Sequence, residues 1–201
     1  MTKKIKIIVS IICVVLLGMG GFLYQKEQNE KTPSEKWSSA NYVSVTEYKI
    51  EEVQNERVIK YEKTGLEFKI PLEWAEGWSE DSPVTQKSDA MVFYSPDTAV
   101  NPNNQYFLTS GCKISNGIFS IKTDVDALRT ELSGGTEEVT SLRNYKALKK
   151  TIESPQMNFY EIDILVPIKD KLYTFILVTT PNDKEKCEEE FGKFLETVSI
   201  E

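Results

Sequence analysis

The stretch YEIDILVPIKDKLYTFILVT, Tyr160–Thr179, sets the architecture of this 201-residue chain. Two apolar, β-branched runs, Tyr160–Pro167 and Leu172–Thr179, flank the charged break Ile168-Lys169-Asp170-Lys171, and alternation on both sides of a short polar turn is the pattern of a β-hairpin. Pro181-Asn182-Asp183 then opens a segment of a different period, in which Cys187, Phe191, Phe194, Leu195 and Val198 fall on one face at helical spacing. Asn182 and Glu185 stand at capping-box distance at its start. A helix with an apolar stripe directly after a hairpin needs a sheet to cover, and this implies an α+β domain.

The same signals recur upstream. Val58, Ile59 and Tyr61, then Leu66, Phe68 and Ile70, enclose Lys63-Thr64-Gly65 as a second hairpin, which Pro71 ends because it cannot donate to a ladder. Val43 and Val45 alternate before it. Met91–Tyr94 reads as a short strand, and SPDTAVNPNNQ after it as a long loop of Pro, Asn and Asp turns. Tyr106–Ile114 alternates again, Asn116-Gly117 reads as a turn, and Ile118–Ile121 continues the strand pattern. Thr123-Asp124 before Val125, Leu128 and Leu132, with Ser133-Gly134-Gly135 after them, predicts a short helix with a start and a stop. Thr136–Ile152 reads as one or two strands of mixed polarity. The expected fold is a twisted antiparallel sheet with helices packed on it, and no period of repeat-protein length recurs.

The first residues have another character. Ile7–Leu23, IIVSIICVVLLGMGGFL, carries no charge and covers roughly 26 Å as a helix. Lys6 below and Tyr24 above suit the two interfaces, which makes residues 5–24 a short transmembrane helix in contact with the membrane. Lys3, Lys4 and Lys6 should stay inside, so the rest of the chain lies on the extracytoplasmic side. The expected organisation is a signal anchor over 1–24, a polar tether over 25–41 and an extracytoplasmic domain over 42–201. The tether, QKEQNEKTPSEKWSSAN, has Trp37 as its one aromatic and cannot bury enough surface to offset its ordering entropy. Gly18-Met19-Gly20 leaves an alternative open, cleavage by signal peptidase and secretion of the domain. Cys13 lacks the small preceding residue of a lipidation site and lies inside the apolar run.

Composition excludes several function classes. The chain holds 31 Asp plus Glu against 24 Lys plus Arg, a net charge of −7, and three of the lysines lie before the apolar run, so the domain itself is more acidic still. No nucleic-acid partner is expected from that balance, because phosphate binding needs concentrated Lys and Arg. The chain has no His, and with it go the Ser-His, Cys-His and His-metal mechanisms. No nucleophile elbow, phosphate loop or dinucleotide fingerprint occurs. No cofactor and no metal are expected.

The run Tyr61-Glu-Lys-Thr-Gly65-Leu-Glu-Phe68-Lys-Ile70-Pro71 with Trp74 resembles the opening hairpin of PsbP-like domains, in which a strand, a Gly turn, a second strand, a Pro and a Trp follow one another. The hairpin Tyr160–Thr179 and the helix Asp183–Val198 with its Phe-rich face resemble the end of those domains. The resemblance implies an α/β/α sandwich on a twisted antiparallel sheet, in the exported bacterial branch of the family. It carries no single activity, since members include an extrinsic subunit of photosystem II, a partner of a nuclear-transport GTPase and many uncharacterised bacterial exported proteins, and it assigns no site residue here.

Few residues stand out as candidates. Cys112 shares an alternating face with Leu108 and Ile114, and Cys187 lies on the apolar face of the last helix, so both point to the core. There they form either a disulfide, which an extracytoplasmic compartment permits, or two buried thiols. Trp74 and Trp78, four residues apart, offer flat faces to a ligand or partner, or plug the edge of the sandwich. Asp97, Asp124 and Asp126 lack the spacing of a calcium loop, and Glu188-Glu189-Glu190 reads as a solvated helix face. The functional expectation is therefore a non-enzymatic binding or accessory module at the cell envelope, with an envelope protein or small ligand as partner. The alternative is a carboxylate-dependent hydrolase acting on envelope glycans.

Overall fold

In the computed structural model, residues 41–77, 90–104, 107–132 and 134–201 are described. The expected anchor, residues 25–40 of the expected tether and Trp78 lie outside them, while Asn41, expected as the last tether residue, is in a strand. Among the described residues no helix is long and apolar enough to cross a membrane.

The two hairpins form as their alternation requires. The later one consists of β12 (Phe159–Ile168) and β13 (Lys171–Thr179), paired from Tyr160 opposite Thr179 to Ile168 opposite Lys171. Lys169 closes the turn at φ 56°. These strands lie mid-sheet. β13 pairs on its other side with β9 (Cys112–Ser120), and β12 with β11 (Tyr145–Ser154), which turns back into the edge strand β10 (Thr136–Leu142). Beyond β9 lie β6 (Ala90–Tyr94), β5 (Ala75–Glu76) and, at the other end of β9, β1 (Asn41–Tyr42). All these pairings are antiparallel.

The earlier hairpin forms a sheet of its own. β3 (Glu56–Tyr61) and β4 (Leu66–Pro71) pair across a turn in which Gly65 takes φ 63°, and β2 (Lys49–Val53) adds a third strand on the far side of β3. Sequence reading missed β2, because KIEEV has no period of two in its polarity and is exposed along its whole length. Val45, expected in a strand, instead starts a 3-10 turn, Val45–Glu47, capped by the Ser44 hydroxyl.

Two helices cover the main sheet, an α+β arrangement. α1 (Val125–Glu131) starts where expected, with the Asp124 carboxylate accepting the Ala127 N–H at 2.8 Å. It packs on β11 and β12. α2 (Lys184–Thr197) packs on β13 and β4. Its Phe191 and Phe194 join Phe68, Phe175, Ile162, Ile164 and Val166 in the principal core. Leu165, between Ile164 and Val166, points to the opposite face with its neighbour Leu148, and both are buried where α1 lies.

Three local expectations are corrected. Asn116-Gly117 is not a turn: β9 runs straight through it, since the Asn116 amide is buried, donates to the Thr174 carbonyl at 3.1 Å and accepts the Tyr48 hydroxyl at 3.0 Å. The loop after Tyr94 contains β7 (Ala99–Val100), which pairs with β8 (Leu108–Ser110) in a small ribbon. The cap of α2 is Asp183, and its side chain makes no capping bond. That carboxylate instead accepts the Gly111 N–H at 2.9 Å and the Thr180 hydroxyl at 3.0 Å.

Candidate functional site

α2 lies across the sheet with a cleft on each flank. The first cleft has a volume of about 190 Å³ and lies between β4 and the last turns of α2. Its apolar lining is Ile70, Pro71, Trp74, Ile114 and Phe194. The Thr197 hydroxyl clamps the two walls, accepting the Lys69 N–H at 3.0 Å and donating to the Phe194 carbonyl at 2.7 Å. Charges ring the mouth in matched pairs: Lys69 with Glu56 at 3.2 Å, and Lys193 with Glu189 and Glu190 at 2.8 and 2.9 Å. Hydrogen bonds donated to those two carboxylates hold the Lys193 ammonium well above its ordinary pKa.

Arg57 positions Trp74. Its guanidinium donates to the Trp74 carbonyl at 2.7 Å and the Leu72 carbonyl at 3.1 Å, and pairs with Glu76 at 3.1 Å. The segment after Pro71 is thereby drawn back over β3, and the indole turns inward until only 4% of the residue is exposed. Trp74 is both a plug for the core and a wall of the cleft. Arg57 carried no sequence signal, because an Arg alternating in a strand reads as a solvated residue until its carbonyl partners are seen.

The second cleft, about 290 Å³, lies on the other flank of α2 against β10–β12. Leu142, Ile162, Ile164, Phe191 and Leu195 line it, with Lys149 and Glu188 at its rim and Gly192 in its helical wall. Nothing lies within 4 Å of where a Gly192 Cβ would stand. Glu188 is oriented by the Tyr160 hydroxyl, which donates to it, while the Lys184 ammonium sits 4.3 Å from the Tyr160 ring centre.

Cys112 and Cys187 meet, with sulfurs 2.07 Å apart and Cα atoms 5.5 Å apart, and join β9 to the first turn of α2. Both are fully buried, and the Thr179 hydroxyl lies 3.1 Å from the Cys187 sulfur. Asp97 is held by Lys186, while Asp124 and Asp126 lie at the start of α1. Among the described residues no group of three acidic or cysteine side chains has metal-binding geometry.

The face opposite α2 carries charges that sequence reading did not single out. Lys113, Lys150 and Glu161 are buried there, with Asp163 directly opposite Lys150 in the register. Burial, and then the nearby Glu161, push the Asp163 carboxyl up to about 7 despite Lys150. One of its oxygens is buried without a hydrogen-bond partner. Burial also lowers the Lys113 ammonium, against the pull of Glu161. Asp163 and Glu161 line neither of the clefts beside α2.

No family model and no curated protein matches this chain. Solved structures do. The crystal structure of LpqN, a protein involved in cell envelope biogenesis of Mycobacterium tuberculosis, is similar at 10% identity with a TM-score of 0.44, over 68% of this chain and 83% of that one. A Bacteroides thetaiotaomicron protein is similar at 15% identity and a TM-score of 0.41, over 68% of this chain and 45% of its own. The solution structure of a cyanobacterial PsbP from Synechocystis is similar at 14% identity and a TM-score of 0.44, over 79% of this chain and 95% of that one.

Proposed function

We propose that this chain is a membrane-anchored, extracytoplasmic, non-enzymatic binding module of the cell envelope, and that a protein partner inserts one apolar side chain into the Trp74 cleft. The observation that carries this reading is the size and lining of the cleft. At about 190 Å³ it is smaller than the sites that take drug-sized ligands, and it suits a single side chain or ring. A buried aromatic wall behind a rim of charges is also how partner anchors are received at protein interfaces. The buried disulfide fits an oxidising compartment, and the basic, then apolar, first residues supply an export signal.

The test uses the full-length chain as bait in its own envelope fraction, beside a Lys69→Glu, Lys193→Glu variant that reverses charge at the mouth without touching the core. Enrichment of one envelope protein by the parent and its loss with the variant is the expected result. Equal capture by both sinks the assignment to this cleft. Intact mass of the protein from native membranes separates the retained anchor from the secreted alternative.

The hydrolase alternative draws on Asp163 and Glu161, two residues apart on one sheet face, the first with a pKa near 7 suited to a general acid. Glycan turnover that disappears in Asp163→Asn would establish it. No turnover by the parent disposes of it.

A further inference from the structure

The outer edge of β2 is unpaired among the described residues, since its sheet runs β2-β3-β4. Glu67 on β4 exchanges both backbone bonds with Ser199, so its N–H and C=O point away from β3. Alternation then turns Phe68 toward Ile59, which leaves Val58 and Lys60 bonded to their β2 partners Glu51 and Lys49. Ile50 and Glu52 therefore turn their N–H and C=O groups outward. Ile50 is 40% exposed beside the fully buried Ile59, and Val53 is 49% exposed.

We infer that this edge pairs with the same edge of a second copy, antiparallel, about a two-fold axis through Ile50. In this register Ile50 faces the partner's Ile50 and exchanges two backbone bonds with it, and an apolar row runs from Ile59 of one copy to Ile59 of the other. Lys49 lies opposite the partner's Glu51, and Glu51 opposite the partner's Lys49. The two neighbouring registers, centred on Lys49 or Glu51, bring lysine against lysine or glutamate against glutamate, each a destabilising pair. Edge strands are commonly blunted by charges that repel another edge. Here the charges alternate so that the edge complements itself. In the monomer Lys49 pairs with Glu62 at 2.5 Å and Glu51 with Lys60 at 2.9 Å, so the contacts between copies extend ion pairs already present along this edge. The contact is short and so weak in solution. Confinement of both copies to one membrane raises their effective concentration. This inference is independent of the Trp74 cleft.

β10, an edge strand of the main sheet, supplies the control. Val139 is exposed there, but Glu137 and Glu138 precede it, and Lys does not alternate with them on the strand. The experiment uses the full-length chain with Cys13→Ser, which leaves an introduced cysteine as the one free thiol beside the 112–187 disulfide. Ile50→Cys and Val139→Cys variants are oxidised at equal concentration and resolved by non-reducing electrophoresis. A disulfide dimer with Ile50→Cys, roughly tenfold over Val139→Cys, is expected, as is a similar drop when Glu51→Lys is added and recovery when Lys49→Glu then completes the swap. Equal crosslinking at both positions, stronger crosslinking at Val139→Cys, or no recovery in the swapped variant overturns the inference.

Discussion

The Asp183 carboxylate accepts the Gly111 N–H at 2.9 Å across 72 residues of sequence, beside the 75-residue span of the disulfide that binds the same two elements. The start of α2 is thus fixed to the start of β9 twice, by a charged hydrogen bond and by a covalent one. Asp183→Ala leaves the Gly111 N–H without its acceptor and should lower stability by about 1–3 kcal/mol. Urea unfolding of parent and variant measures this. An unchanged midpoint would mean that water replaces the carboxylate at no cost.

The disulfide should contribute more. Joining residues 75 apart removes loop-closure entropy from the unfolded chain, and its loss in Cys187→Ala should cost about 2–4 kcal/mol. The same loss should follow when the parent is unfolded in reductant, and a parent that is insensitive to reductant would contradict the estimate.

Arg57→Met should loosen the segment around Trp74. In a Trp37→Phe, Trp78→Phe background the remaining indole reports this directly: its emission should shift to the red, and stability should fall by about 1 kcal/mol, because two part-buried carbonyls lose their donor. Emission that stays blue would show that the apolar lining alone holds the ring.

Asp163 gives the fold a pH dependence of definite sign. Its folded pKa, about 7, lies above the ordinary 3.8, so the native state binds the proton more tightly than the unfolded chain. Its contribution is full below pH 3.8 and is lost as pH rises through 7. Asp163→Asn keeps a neutral side chain at every pH, and the variant should overtake the parent by about 2 kcal/mol between pH 4 and pH 8, a figure discounted for partial burial. Parallel stability curves for the two proteins would remove this role for Asp163.

Gly192 weakens its own helix for no internal steric reason, since the space where its side chain would stand is open. Gly192→Ala should therefore raise stability by about 1 kcal/mol, read as a higher urea midpoint. Destabilisation by Ala would mean that the wall of the second cleft moves inward on folding in solution.

The elements legible in the sequence were those with a strong period. Tyr160–Thr179 and the helix of Phe191 and Phe194 announced themselves because one face of each is buried almost without interruption. β2 was illegible because exposure removes the alternation that burial imposes. Asn116-Gly117 misled for the opposite reason: a dipeptide that favours turns was overridden by pairing on both sides and by a buried amide with two partners. Trp74 stood out as a residue type, but its cleft needs α2, which lies more than a hundred residues later in the chain. The charges of the opposite sheet face were invisible for a related reason. Lys113, Lys150, Glu161 and Asp163 look solvated in a list of residues, and only the register puts them side by side.

The Cys112–Cys187 bond also orders events in the life of the chain. Its second sulfur belongs to the last helix, so every strand of the main sheet precedes it during synthesis, and the bond closes only when α2 has docked on β13 and β4. Hairpins between adjacent strands form early because their loops are short. Oxidation at this site is therefore a late step, and the thiols sealed inside are those of a finished molecule. A population trapped with free Cys112 and Cys187 would be one in which the sheet has assembled and the final helix has not, and alkylation during refolding would catch it as a distinct mass.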